Sequence, residues 1–123
     1  MTITDDFLNN MAKAAAGESF NTISHFSVGE TVVTSVLPTD TVLAGEVGSR
    51  ITASAARTNN SIEFTGVRTT ADVVDTVNGD DIATFGSNTA STGSNLQSGT
   101  KVAGVTHTDT FDLELILTVT VTR

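Results

Sequence analysis

The clearest pattern of apolar and polar positions lies at the end of the chain, in the stretch FDLELILTVTVT. Every second position from Phe111 to Val121 is apolar, and five of the six positions that alternate with them are polar. Because successive side chains of a strand point to opposite faces, this period of two predicts a long strand over 111–122 with one wet face. Ile116 interrupts the wet face, and we predict that it contacts another subunit.

The beginning of the chain has the spacing of a helix instead. In TDDFLNNMAKAAA, residues 4–16, the large apolar side chains are Phe7, Leu8 and Met11, which fall on one side of a helix. Thr4 stands where a side chain caps the first turn, and two aspartates follow it, where the helix dipole favours anions. The pattern predicts an amphipathic helix, with these three apolar residues as further candidate subunit contacts.

Between these two ends, β-branched residues and turn formers dominate, as a strand-rich domain requires. Asn59 and Asn60 form a hairpin signal, and the small residues of 86–99 predict a loop with at most a short extended piece around Leu96. We predict one all-β domain, an antiparallel β-sandwich with a short N-terminal α-helix, divided into a helical docking segment (1–19) and a sandwich (20–123). The further predicted strands are 22–28, 31–37, 50–57, 61–67, 72–77, 82–85 and 101–106.

Composition changes this picture through charge. The chain has 14 acidic and six basic residues, a net charge of -8, with two lysines and 23 threonines. Such a surface disfavours nucleic acid, which demands clustered basic residues, and resembles proteins adapted to high salt. An ordinary acidic β protein is the alternative. No apolar run approaches the roughly 18 residues of a membrane span, so we expect no membrane partner.

Candidate chemistry is sparse. The sequence has no glycine-rich phosphate loop, paired-histidine zinc motif or nucleophile elbow, and its two histidines, His25 and His107, lie in separate predicted strands. We therefore predict no catalytic residues and no cofactor. One acidic turn has the oxygen ligands that a hard cation prefers, although a solvated turn is the simpler interpretation. Its candidate ligands are Asp75, Asn78, Asp80 and Asp81.

The stretch DTVLAGEVGSR has regular spacing without matching a strand. Asp40 can cap a short helical turn that places Leu43 and Val47 on one face. Glu46 and Arg50 are then four residues apart on another face, in the order that favours an ion pair. The pattern predicts a structural crossover that lies with its apolar side on the domain and its ion pair outside or bridging.

This crossover, taken with the strands around it, resembles the small β domains of tailed-virus tail and fibre proteins. The chain is similar to the N-terminal module of phage tail-collar fibre proteins. The matching parts are the early strand HFSVGET (25–31), the crossover residues Leu43, Glu46 and Arg50, the later strand DIATF (81–85) and the alternating last strand (111–122).

The resemblance implies a non-enzymatic virion protein that assembles in multiple copies on the tail, neck or fibre apparatus, with other virion proteins as partners. It brings no catalytic residues with it. The high-salt composition extends this to a virus of a halophilic host. The alternatives are a capsid decoration or turret subunit and, from another class, a soluble ligand-binding β domain or small enzyme.

Overall fold

The protein is described here by a computed structural model that covers residues 1–122, in which two antiparallel sheets and one α-helix form the regular structure. The predicted β-sandwich with a short N-terminal helix is confirmed. The elements are β1 (Thr2–Ile3), α1 (Asp5–Ala15), β2 (His25–Gly29), β3 (Ile51–Thr52), β4 (Ser54–Thr58), β5 (Ser61–Arg68), β6 (Asp80–Asn88), β7 (Leu96–His107) and β8 (Leu113–Thr120).

The two sheets differ in size. The large sheet has the order β1-β7-β6-β2-β3, and the small sheet has the order β4-β5-β8. The run from β3 to β4 is interrupted only at Ala53, so the chain passes from an edge of one sheet to an edge of the other. This passage links the sheets on one side of the sandwich and leaves β8 as the opposite edge of the small sheet.

The main core fills the space between the sheets. Phe26 and Phe85 of the large sheet meet edge to face, with ring centroids 4.9 Å apart, and pack with Phe64 and Leu117 of the small sheet. The alternation predicted for the last strand is present, since Leu117 points into this core and Ile116 is 52% exposed.

The N-terminal helix docks on its own sandwich. Thr4 caps it by accepting a hydrogen bond from the backbone N–H of Phe7 at 3.3 Å, and the same hydroxyl donates to the carbonyl of Leu96 at 2.5 Å. The Asn10 amide donates to the Gln97 side chain at 3.1 Å, and Phe7 packs against the main core. These contacts fix α1 along the start of β7.

Two of the predicted strands are wrong. Residues 31–37 are rich in β-branched residues but form no strand. They run as an irregular segment, called the cover below, in which Val36 is buried against the large sheet. Residues 72–77 follow a short 3₁₀ turn (Thr70–Asp72) and contain a turn organised by the Asp75 carboxylate, which accepts the N–H groups of Val77 and Asn78.

The predicted loop over 86–99 is also wrong over half of its length, since β6 continues to residue 88 and β7 begins at 96. The small residues there serve packing. Gly86 and Gly99 are paired neighbours in the large sheet, and a Cβ on either would come within 3.0 Å of a side chain above the sheet. Because these two glycines have no side chains, the residues above them can pack directly on the backbone of the large sheet.

Candidate assembly surfaces and polar clusters

The crossover, residues 40–50, is not helical. Gly45 and Gly48 have φ values of +64° and +68°, which turn the chain instead of continuing a helix, and the backbone of Glu46 forms an isolated bridge with Gly29. The predicted helical turn is therefore wrong, because its two glycines supply left-handed positions. The crossover follows the edge of the large sheet as a series of turns.

Leu43 anchors the crossover. It is buried in a second apolar cluster with Val36 and Leu96, on the side of the large sheet away from the main core. This cluster packs directly on the two glycines, since a Cβ on Gly86 would meet Leu96 and Leu43, and a Cβ on Gly99 would meet Val36 and Leu43. Leu43 thus holds the cover against the sheet by packing.

Arg50 joins the crossover to the loop that follows β6. Its guanidinium contacts the Glu46 carboxylate at 3.1–3.3 Å. It also donates to the carbonyls of Ala90 (3.0 Å) and Gly93 (2.6 Å) and to the Asn95 side chain (2.9 Å). The Arg50 side chain is 3% exposed and that of Glu46 is 26% exposed. Arg50 is a clip that closes the 89–95 loop onto the crossover, with Glu46 at its outer end.

The four predicted subunit contacts fall into two groups. Phe7 is partly buried and packs on the main core, so its apolar surface is largely occupied within the chain. Leu8 and Met11 remain exposed on the helix, at 59% and 45%. Ile116 is exposed on the outer face of the small sheet, where Val67 of the neighbouring β5 is exposed as well.

The candidate cation ligands do not converge. Asp75 caps its own turn, the Asp81 carboxylate accepts from the Thr106 hydroxyl at 2.7 Å, and Asp80 is fully buried in an ion pair. Asn78 donates its amide to Asp75 at 3.3 Å. Over residues 1–122, no group of three or more histidine or carboxylate side chains is placed to hold a metal ion.

A buried polar cluster that the sequence did not predict lies at one end of the sandwich. Arg68, Asp80 and His107 come from the ends of β5, β6 and β7, and each is at most 1% exposed. Arg68 donates to Asp80 at 2.6 Å and to the His107 Nδ1 at 2.7 Å. Because arginine has only donors, His107 Nδ1 must accept, so Nε2 bears the proton and donates to the carbonyl of Phe111 at 2.8 Å.

The Asp80 carboxylate is stabilised as an anion inside this cluster. Burial by itself raises its pKa, but the backbone N–H groups of Asp75 and Val74, at 2.9 Å each, and the Arg68 guanidinium outweigh that effect. The pKa of Asp80 therefore lies below its ordinary value of 3.8. A charge with this many donors is a fixed structural group, which joins three strand ends.

The other histidine has a local role. His25 begins β2, and its Nδ1 is 2.8 Å from the Ser24 hydroxyl, which also donates to the carbonyl of Thr89 at 2.9 Å. The Ser24 hydroxyl proton is thus engaged with the Thr89 carbonyl, and His25 Nδ1 lies beside the Ser24 hydroxyl oxygen. The contact ties β2 to the beginning of the 89–95 loop.

An apolar cavity of about 160 Å³ lies where α1 meets the small sheet. Its walls include Phe7, Ile23, Ile62, Phe64 and Val119. The Asn10 and Gln97 amides at its margin bond to each other, to the backbone N–H of Asn21 and to the Asp6 carboxylate. The cavity would therefore accept apolar groups.

Comparison of the chain with known protein families, with characterised proteins and with solved structures finds no match. Within residues 1–122, α1 is much too short to cross a membrane, and no helix meets the length and apolarity that a crossing requires.

Proposed function

We propose that this chain is a non-enzymatic structural protein of a tailed virus, assembled in multiple copies on the tail, neck or fibre apparatus of the virion. The observation that carries the proposal is the placement of exposed apolar side chains on regular elements. Leu8 lies on a helix fixed to the sandwich, and Ile116 lies on a strand. Rigid elements present such residues to a partner at little entropic cost.

The crossover adds support through the resemblance of its sequence pattern to that of tailed-virus fibre domains. Leu43 and Arg50 hold together the cover, the large sheet and the 89–95 loop. Such a cover gives the domain a firm surface without disulfides, as the chain has no cysteine. The acidic surface favours a salt-rich environment, and the proposal extends to a virus of a halophilic host.

The test is whether the chain travels with particles. In a density gradient of particles released from infected cells, the chain should band with intact virions, and electron microscopy should locate its density on the tail apparatus. Density on the capsid shell would favour a decoration or turret subunit instead. A chain that stays at the top of the gradient would contradict a virion role.

A point substitution tests the helix surface more specifically than deletion of residues 1–19, because the deletion would also remove Phe7 from the core. Leu8→Glu keeps a residue that favours helix formation. If Leu8 is buried against a partner, the substitution should weaken rebinding to depleted particles about tenfold or more. The matched control is Val77→Glu at an 89%-exposed apolar turn position, which should rebind normally.

The apolar cavity favours the second candidate, a ligand-binding β domain. The cavity has a volume of about 160 Å³, is partly open to solvent and is lined mainly by aliphatic and aromatic side chains, so it has room for a small apolar group. Native mass spectrometry of the purified chain with lipid and metabolite extracts would detect a retained ligand. A chain that keeps one apolar compound through purification and never bands with particles would favour this candidate over the virion role.

A further inference from the structure

The edge of the small sheet at β8 directs main-chain groups away from the molecule. Val121 donates its N–H to the carbonyl of Asn60 at 2.9 Å, which identifies this pair as a hydrogen-bonded position of the β5–β8 ladder. Because bonded and non-bonded positions alternate, the even-numbered residues of β8 point their N–H and C=O groups outward. Among the described residues, no further strand pairs with that edge.

The other sheet edges are less suited to pairing with a further strand. β4 has five residues, and the same alternation leaves only Ala55 and Arg57 pointing outward, one of them charged. β7 beyond β1 carries Lys101 and faces a register shift between Ile82 and Thr84. Short length, charge and bulges are the features that keep an edge from pairing. By contrast, β8 offers eight regular residues with one charge near its end.

The inward side chains of β8 also leave room for a neighbour. Leu117 is 2% exposed, whereas Leu113, Leu115 and Val119 on the same face are only half-buried. These three residues border the open edge. A strand paired along β8 would bring its own side chains beside them and extend the core.

We propose that β8 pairs antiparallel with β8 of a second copy of this chain, about a two-fold axis at Ile116, so that the two small sheets become one continuous sheet. The inference deepens the proposed structural role by naming one partner of the assembly. Its geometry is self-complementary, as a two-fold interface requires.

In the ladder that this axis produces, apolar residues of β8 lie opposite apolar residues of the second copy. Each Leu115 lies opposite Leu117 of the second copy, and the two Ile116 side chains face each other on the outer surface. Apolar pairs directly opposite in a sheet are favourable, and like charges are not. The pairing places Glu114 opposite Thr118 of the second copy, whereas a parallel, in-register pairing would align the two Glu114 residues about 5 Å apart.

Net charge sets the condition for the measurement. Two copies of -8 repel each other, and molar salt reduces the screening length to about 3 Å. In molar KCl, sedimentation equilibrium of the full chain should therefore show a dimer, which dilute salt weakens.

Proline substitutions at the two edges provide a matched test. Thr118→Pro removes an N–H that points away from β5, so it should leave the fold intact by circular dichroism and abolish the dimer. Ala55→Pro makes the same change at the outward edge of β4 and should leave the dimer unaffected.

Cysteine placement tests the register, since the chain has no cysteine of its own. Facing residues at a bonded position have Cα atoms about 5.5 Å apart, within the range of a disulfide. Ile116→Cys should therefore form a disulfide-linked dimer on mild oxidation, whereas Val67→Cys, on the same face one strand away, should not.

Three outcomes would overturn this interface. They are a wild-type chain that is monomeric in molar KCl, a dimer that survives Thr118→Pro but not Ala55→Pro, and a monomer whose particle binding is lost with Thr118→Pro. The last would assign the edge to a strand of another protein. A monomer that bands with virions overturns this inference alone, and a β8-linked dimer that never does so overturns only the virion role.

Discussion

Two arginines organise the two ends of this sandwich in different ways. Arg50 is itself only 3% exposed, but its partners are a partly exposed Glu46 and loop carbonyls that can rehydrate. Arg68 is enclosed with Asp80 and His107, and its Nη atoms contact those side chains and the carbonyl of Asp72. One cluster fastens a loop, and the other fixes the ends of three strands.

The difference in burial matters more than the number of contacts. Desolvation makes a buried charge expensive when its partner is removed, whereas a charge near water regains solvation. The two clusters should therefore respond differently to the same substitution, although each centres on one arginine. The first three predictions compare them directly.

The largest expected effect is at Arg68. Arg68→Met removes the guanidinium and leaves the Asp80 carboxylate buried with two backbone donors, so it should reduce the free energy of unfolding by about 3–5 kcal/mol. Urea denaturation measures this loss. A double variant, Arg68→Met with Asp80→Asn, should lose less than the sum of the single losses because no unpaired charge remains.

The control for Arg68 is Arg57 of β4, which is exposed and donates to one carbonyl at 2.8 Å. Arg57→Met should change the free energy of unfolding by no more than about 0.5 kcal/mol. Equal losses for the two arginines would contradict the distinction between a buried and an exposed charge.

A smaller effect is expected at Arg50. Arg50→Met removes charged hydrogen bonds from a largely buried guanidinium, but the carbonyls of Ala90 and Gly93 can rehydrate, so the loss should be about 2 kcal/mol. Glu46→Gln should cost less than about 1 kcal/mol because this carboxylate is partly exposed. Amide hydrogen exchange should accelerate in the 89–95 loop of the Arg50 variant.

The double variant of Glu46 and Arg50 measures how much of the clip is the ion pair. A coupling energy near zero would assign the whole effect of Arg50 to the loop contacts. The loop would then be fastened by Arg50 alone, and the i,i+4 spacing of the crossover would have no energetic role.

The sequence predicted the surface cluster because its parts are local. Glu46 and Arg50 are four residues apart, and their pairing needs only a bend of the chain. The form of that bend was wrong, since Gly45 and Gly48 supply turns where a helix was expected. The loop partners of Arg50, which lie 40 or more residues further on, were beyond any local pattern.

The buried cluster required the sheet register. Asp80 and His107 are directly opposite in the β6–β7 ladder, and Arg68 reaches them from β5 in the other sheet. One signal was present in the sequence. Arg68 lies an even number of positions from the inward residues Ile62 and Phe64 in the same strand, so its charged side chain is expected on the inward face. Burial in that position requires a partner, but nothing local identified it.

The pH dependence of stability should separate the clusters by a further, smaller effect. The pKa of Asp80 is below 3.8 in the folded chain, so at neutral pH the carboxylate is charged in both states and its stabilisation is complete. Below about pH 4 the unfolded chain takes up the proton first, so stability should fall until the folded pKa is reached.

Urea midpoints between neutral pH and pH 3 measure this dependence. Asp80→Asn should remove part of the acid-induced loss, whereas Glu46→Gln should leave that part in place. An acid profile that is unchanged in Asp80→Asn would show that other carboxylates account for the whole slope.

The smallest expected effect concerns salt and the chain as a whole. Fourteen acidic residues against six basic ones repel one another, and salt screens exposed charges more than buried ones. The melting temperature should rise from dilute to molar KCl, while the coupling of Glu46 with Arg50 weakens and that of Arg68 with Asp80 changes little. Neutralising two exposed acids, with Glu30→Gln and Asp109→Asn, should flatten the rise. A melting temperature that ignores salt would count against the halophilic interpretation, and equal weakening of both couplings would show that the Arg68 cluster is open to solvent.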